Sequence, residues 1–323
     1  MNLVVYILKK DVMYDFLLDI KNKFETYVPI KKDITRFKIL DNPKDIDFSE
    51  NSYFPVKEHF FRKKEVIFQF NGSNFLPVEL KSKNKIFFGL RRCDLNAIKN
   101  QDFIFMKQHN DPYYTSQRKK AVLIGYHCTK ALNKYCFCES MNLTDYYDLM
   151  LFDKTNYFLV DAKTEKGENL IRKYKKYFKK SNYKISDKDT YIKTRKINKK
   201  DISKFYDHKD WDKGINLCLS CSACTEMCPT CYCHEIHDNT EINNPRNAKR
   251  IRSWSSCQLK EFTSVAENHT FRDTKEARFK HRIYHQLQYF KERNKINLCT
   301  GCGRCITGCP TKIDWVKIIN EMR

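Results

Sequence analysis

The chain has 323 residues, of which 41% are hydrophobic and 31% charged, and its formal net charge is +22. This apolar content excludes a disordered chain, and no apolar run approaches the roughly 18 residues of a membrane helix. The fifteen cysteines are an odd count and too many for ordinary core packing, and a chain this long does not suit a secreted disulfide scaffold.

The N-terminus, MNLVVYILKKDVMYDFLLDI, lacks a basic leader, a long apolar core and a small-residue cleavage site. It reads as folded protein of a cytoplasmic chain. Met13, Phe16, Leu17, Ile20 and Phe24 recur at helical spacing and predict a helix over 12–26. VIFQF at 66–70 and FLPVEL at 75–80 read as strands around an Asn-Gly turn. KIFFGL, FIFM, AVLIGY and YFLV are short, nearly continuous apolar runs, which predicts strands covered on both faces. Asp111-Pro112 fits a helix start, with an N-cap followed by proline in the first turn.

Residues 163–210 are lysine-rich. Leu170, Ile171, Tyr174, Tyr177 and Phe178 form a helical stripe there, and Ile197, Ile202 and Phe205 are candidate apolar anchors of a charged connector. The boundary between two domains belongs in this stretch, giving an α/β domain over 1–205 and a cysteine domain over 206–323. In the latter, Phe279, Ile283, Leu287 and Phe290 mark one helix face, and the tail IDWVKIINEM fits a second amphipathic helix. No strand signal stands between the two cysteine runs. The expected fold class is therefore α+β, with an N-terminal α/β domain followed by a mainly helical, ferredoxin-like dicluster domain.

Eight cysteines carry the chemistry. Cys218, Cys221, Cys224 and Cys228 precede Pro229, and Cys299, Cys302, Cys305 and Cys309 precede Pro310, both as C-x2-C-x2-C-x3-C-P. This is the bacterial ferredoxin pattern, in which two-residue spacers wrap three corners of a cubane and the fourth cysteine ligates the other cluster. On that rule one [4Fe–4S] cluster takes Cys218, Cys221, Cys224 and Cys309, and the second takes Cys299, Cys302, Cys305 and Cys228. Gly301, Gly303 and Gly308 suit close backbone approach to sulfide, and Ser220, Ser222 and Ala223 replace that glycine pattern in the first run. Structural zinc favours two CxxC pairs and fits the repeated triple poorly.

Cys93 and Cys128 follow the strands KIFFGL and AVLIGY. If those strands are parallel neighbours, both thiols emerge at one carboxyl edge, and Cys136 and Cys138 can close the site. Four thiolates there suit a third [4Fe–4S] cluster or zinc, against the alternative of thiols packed as small hydrophobes. Arg91, Arg92 and Asp94 flank Cys93, as charge balance or as ordinary ion pairs, and His127 is a candidate neighbour or substitute ligand. Cys231, Cys233 and Cys257 remain, with His234, His237 and Asp238 nearby as further candidates for a mononuclear metal.

Together these segments resemble the iron–sulfur subunit shared by anaerobic sulfite reductases and, as the beta subunit, by sulfhydrogenase-type NiFe hydrogenases. The resemblance spans roughly 50–323 and rests on FFGLRRCDLNAI, DPYYTSQRKKAVLIGYHC, CFCESM, CPTCYCHEI, RSWSSCQLKEFTSVAENHTFR, RFKHRIYHQLQYF and CTGCGRCITGCP. It implies the two C-terminal clusters and a third on Cys93, Cys128, Cys136 and Cys138. It also implies an electron-transfer subunit with no complete catalytic site, relaying electrons from a flavin/NAD(P)H-binding partner toward a siroheme subunit that reduces sulfite. The alternative terminal partner is a nickel–iron hydrogenase subunit. Flavin and siroheme are expected in those partners and not in this chain. After WSSC the family usually has a glycine-containing AGGH-type stretch, where this chain has Ala266, Glu267, Asn268 and His269. A zinc-stabilised nucleic-acid-binding module is the reading from a different class, and no groove-reading motif accompanies the basic charge. That charge reads either as a solvated, lysine-rich surface or as a docking face for an acidic partner or anionic substrate.

Overall fold

A computed structural model describes residues 4–198 and 201–323. The start of the apolar N-terminus, 1–3, and two residues of the charged connector, 199–200, lie outside the described residues.

The N-terminal half is built on one sheet. Its strands are β1 (Val5–Lys9), β2 (Glu25–Lys31), β3 (Thr35–Ile39), and then, after a separate hairpin of β4 (Lys64–Asn71) and β5 (Asn74–Pro77), β6 (Lys85–Leu90), β7 (Ala121–Tyr126), β8 (Leu149–Asp153), β9 (Tyr157–Ala162) and β10 (Phe178–Ser181). The order is β10-β1-β9-β8-β7-β6-β2-β3. The centre is parallel, from β2 through β6 and β7 to β8, and the flanking pairs are antiparallel. Every residue of β6 is buried, because both faces are covered. Ile86 and Phe88 pack on one side with Met13, Phe16, Leu17 and Ile20 of helix α1 (Lys10–Lys21) and Leu170 and Ile171 of a later helix. Phe87 and Leu90 pack on the other side with Leu95 and Ile98 of α2 (Arg92–Asp102) and Tyr114 of α3 (Pro112–Lys119). Ile86, Phe87 and Phe88 alternate between the two sides as strand residues do, and the register shift between Phe88 and Leu90, at Gly89 with φ of 91°, puts Leu90 on the Phe87 side.

Several expectations stand with adjusted bounds. The first helix ends at Lys21, earlier than predicted, because Glu25 already begins β2 beside β6. Asp111 caps α3, its carboxylate accepting from the Tyr114 N–H at 2.8 Å. The lysine-rich stripe forms α4 (Glu165–Lys173), but Phe178 opens β10 instead of continuing the helix. FIFM is not a strand: Phe103–Gln108 continues α2 as a π-helical segment. A continuous apolar run is ambiguous between buried strand and buried helix, and here tertiary packing decided.

The cysteine half is not mainly helical. Between the two runs lies a long hairpin, β11 (His234–Glu241) and β12 (Asn244–Trp254). β12 also pairs with β4, so a four-stranded sheet, β11-β12-β4-β5, joins residues from both halves of the chain. The hairpin was missed because its strands are mostly exposed and polar, with no alternating apolar face to read. Arg252 pins its base, pairing with Glu65 at 2.6 Å and with Asp111. Among the described residues its two longest α-helices are α5 (Lys275–Tyr284) and α6 (Trp315–Glu321). Their apolar faces, with Trp211 and the connector's Ile197 and Ile202, form a third core, and Phe137 and Met141 from the N-terminal half enter it. Among the described residues no helix is long and apolar enough to cross a membrane.

Candidate metal centres

The two cysteine runs fold alike. Ser220 and Ser222 have φ of 51° and 67°, and Gly301 and Gly303 have 68° and 73°. The Ser220 N–H donates to Cys218 Sγ and the Gly301 N–H to Cys299 Sγ, each at 3.4 Å. A short helical turn follows in each run, Ala223–Glu226 and Arg304–Thr307. Then Cys228 Sγ meets the Thr230 hydroxyl at 3.2 Å and Cys309 Sγ meets that of Thr311 at 3.4 Å. The backbone path is thus common to both runs, and serine holds in the first the left-handed turns that glycine holds in the second, at about 1 kcal/mol or more each.

Glycine has a second reason in the later run. A Cβ on Gly301 would stand 2.6 Å from the backbone of Cys138, and one on Gly303 would stand 2.7 Å from that of Tyr135. The Phe137 N–H donates to Gly301 O at 2.8 Å. These glycines therefore let the CFC loop of the N-terminal half lie against the second run. Gly308 is likewise close to Met227, at 2.8 Å from its virtual Cβ.

The first run and the end of the second share a cavity. Cys218, Cys221, Cys224, Cys305 and Cys309 line a space of about 60 Å³, well above the roughly 10–15 Å³ that a single water requires. Burial pushes the Cys224 thiol up to about 11; Arg282 opposes this, and the thiols of Cys218, Cys228 and Cys309 add to it. Burial raises Cys299, Cys302 (to about 11) and Cys305 (to about 12), and Cys228 is among the thiols that add to each. The Trp315 indole N–H donates to Cys305 Sγ at 3.3 Å, and Cys218 Sγ donates to Gln258 Oε1 at 3.8 Å.

The N-terminal thiols also come together. β6 and β7 are parallel neighbours, so Cys93 at the start of α2 and Cys128 after β7 leave the sheet at the same edge. With Cys136 and Cys138 they line a cavity of about 220 Å³, together with Asn51, Arg91 and Cys302. Burial raises all four thiols, Cys138 to about 12. Cys136 Sγ donates to Cys302 O at 3.8 Å, so this cavity abuts the second run. The flanking charges divide. Arg92 pairs with Asp145, and Asp94 pairs with Arg304 at 2.7 Å. Arg91 donates to Phe48 O and faces the cavity with its guanidinium over the Tyr126 ring. His127 lines the same wall, buried with neither ring nitrogen hydrogen-bonded, and burial followed by the two arginines lowers its pKa to about 4.

The donor set suits an iron–sulfur body. Thiols gather in both cavities, and buried thiols with raised proton affinity ionise readily only when a metal replaces the proton. Among the described residues no three His, Cys, Asp or Glu side chains close in on a single ion. His234, His237 and Asp238 accordingly do not gather with Cys231 and Cys233: they run along the exposed β11, and Asp238 is paired with Arg250 at 2.7 Å. Sequence reasoning also missed Lys57, Arg282 and Arg304, three buried cations beside cysteines. The chain is rich in lysine and arginine, and nothing local distinguishes these three from the exposed majority.

Residues 217–313 match the family model described as a 4Fe-4S dicluster domain. The chain is also similar to Sulfhydrogenase 2 subunit beta of Pyrococcus furiosus, 30% identical over 326 residues, covering 96% of this chain and 95% of that protein. With a near-full-length match to that relative and a dicluster domain over its two cysteine runs, the chain belongs to the family of iron–sulfur subunits shared by anaerobic sulfite reductases and sulfhydrogenases.

Proposed function

We propose that this protein is the electron-transfer beta subunit of a cytoplasmic, sulfhydrogenase-type hydrogenase complex. The carrying observation is the gathering of thiols from distant parts of the chain around two cavities, within a chain that matches a sulfhydrogenase beta chain over almost its whole length. That relative favours the hydrogenase alternative over the sulfite reductase expected first, and over a siroheme partner. The partners this reading requires are a nickel–iron subunit and a flavin/NAD(P)H-binding subunit.

In this reading Cys218, Cys221, Cys224 and Cys309 hold one [4Fe–4S] cluster. Cys299, Cys302, Cys305 and Cys228 hold a second, and Cys93, Cys128, Cys136 and Cys138 hold a third. The division into an α/β domain over 1–205 and a dicluster domain over 206–323 follows the same assignment. Each such cluster, when bound, accepts and returns single electrons. The chain's own residues supply the ligands, exclude water through the core around Trp315 and Phe137, and direct N–H donors at sulfur from Ser220, Gly301 and Trp315. Cys221 is exposed between Leu219 and Ala223, with Leu217 and Leu219 also at the surface, and offers a place for a partner to approach the first cluster.

Anaerobic purification of the protein with its partners tests this. The expected product is brown, carries iron and sulfide at about twelve each per chain, and couples hydrogen oxidation to NAD(P) reduction in the complex. Cys309→Ser is expected to remove about four irons from a folded protein. Colourless, zinc-loaded protein would end the iron–sulfur reading, and NAD(P)H-driven sulfite consumption without hydrogen chemistry would restore the sulfite reductase.

A further inference from the structure

Twelve of the fifteen cysteines belong to the proposed centres, leaving Cys231, Cys233 and Cys257. The fold brings these three together at the root of the β11–β12 hairpin. His234 pairs with Trp254 in the last rung, and the Ser255 N–H donates to Cys233 O at 3.0 Å. There the Cys233 and Cys257 thiols hydrogen-bond each other. Cys231, two residues earlier, touches the Cys228 thiol and accepts from Gln286 Nε2 at 3.8 Å.

Two cations are buried against this group. Lys57 is 3% exposed and donates from Nζ to Cys231 O at 3.0 Å and to Thr225 O at 3.3 Å. Arg282 is 8% exposed, donates from Nη2 to Cys224 O at 3.1 Å, and has no partner for Nε. Among the described residues neither reaches a carboxylate within ion-pair distance. Lys57 Nζ also lies 4.0 Å from the centre of the Trp254 ring, and Arg282 also lines the cavity of the first cysteine run. A cation buried without a counter-charge is strongly unfavourable, and neutral thiols do not offset that. Thiolates around an iron–sulfide core do, because the assembled centre carries net negative charge.

We propose that Cys231, Cys233 and Cys257 hold a further iron–sulfur centre through three thiolates, with Lys57 as its buried counter-charge and Arg282 shared between it and the first run's cavity. The proposal rests on the reading of the chain as an iron–sulfur subunit. In the protonated state Cys233 and Cys257 satisfy each other by a hydrogen bond.

The test is an iron and sulfide count on anaerobically prepared protein whose other three centres are shown to be full by spin quantitation. The expected count is roughly fifteen or sixteen irons per chain, against about twelve without this centre. A variant carrying Cys231→Ser, Cys233→Ser and Cys257→Ser together is expected to lose only the surplus. A count of about twelve in the wild type, or a triple variant that keeps the surplus, overturns the proposal. The wild-type count decides alone if the variant does not fold. A wild type free of iron would sink both this site and the wider assignment.

Discussion

Removing the Asp94 carboxylate is expected to unfasten the N-terminal layer from the second cysteine run. Asp94 is fully buried and Arg304 is 4% exposed. Their groups meet at 2.7 and 3.0 Å, and Arg304 also donates to Asn51 Oδ1 at 2.6 Å and to Ser52 O at 2.6 Å. Asp94 lies next to Cys93, and Arg304 lies between Cys302 and Cys305, so the pair ties two groups of candidate ligands. Asp94→Ala would leave the buried guanidinium without its carboxylate partner, facing only the neutral acceptors of Asn51 and Ser52 on that side. Breaking a buried pair from one side costs about 3–5 kcal/mol, a large share of a typical stability of roughly 5–15 kcal/mol. The assay is anaerobic urea denaturation of wild type, Asp94→Ala, Arg304→Met and the double variant. Each single variant should lose about 3 kcal/mol or more, and the double variant should lose clearly less than the sum, because neither charge is then stranded. Single variants within about 0.5 kcal/mol of wild type would refute the reasoning, since surface changes cost no more than that.

Further outcomes follow from the same geometry. Gly301→Ala should destabilise the protein by more than about 2 kcal/mol, through a left-handed alanine and a clash with Cys138, and should lower the iron content of the purified protein. Ser220→Gly, at the corresponding turn, should be neutral or stabilising by about 1 kcal/mol; equal losses in the two variants, measured by denaturation and iron assay, would show that the CFC loop contact is immaterial. Burial first, then Lys85, lowers the His59 pKa to about 4. The unfolded chain therefore binds the proton more tightly: the stabilising contribution is complete above about pH 6.5 and is lost as pH falls toward 4, by up to about 3 kcal/mol. His59→Phe, packed between Tyr27 and Phe87, should flatten that part of the stability–pH curve, and an unchanged slope would exclude His59 as its source. Association with an acidic partner protein should weaken as salt rises, given the +22 net charge; an affinity independent of ionic strength would refute electrostatic docking.

The dicluster domain was legible in the order of residues, because its loop is local: spacers of two residues and a following proline recur in both runs, and Ser220 and Gly301 take the same left-handed turn. KIFFGL and AVLIGY were legible as strands for a similar reason, since continuous apolar runs of that length bury both faces. Whatever depends on distant neighbours was settled by long-range packing instead. Phe103–Gln108 became helix by continuing α2, and the polar hairpin over 234–254 became sheet by pairing β12 with β4. The same packing placed Lys57, Arg282 and Arg304 beside thiols. A cation's partner is set by where the chain returns in space, and one lysine or arginine among sixty-one carries no local mark of being the buried one.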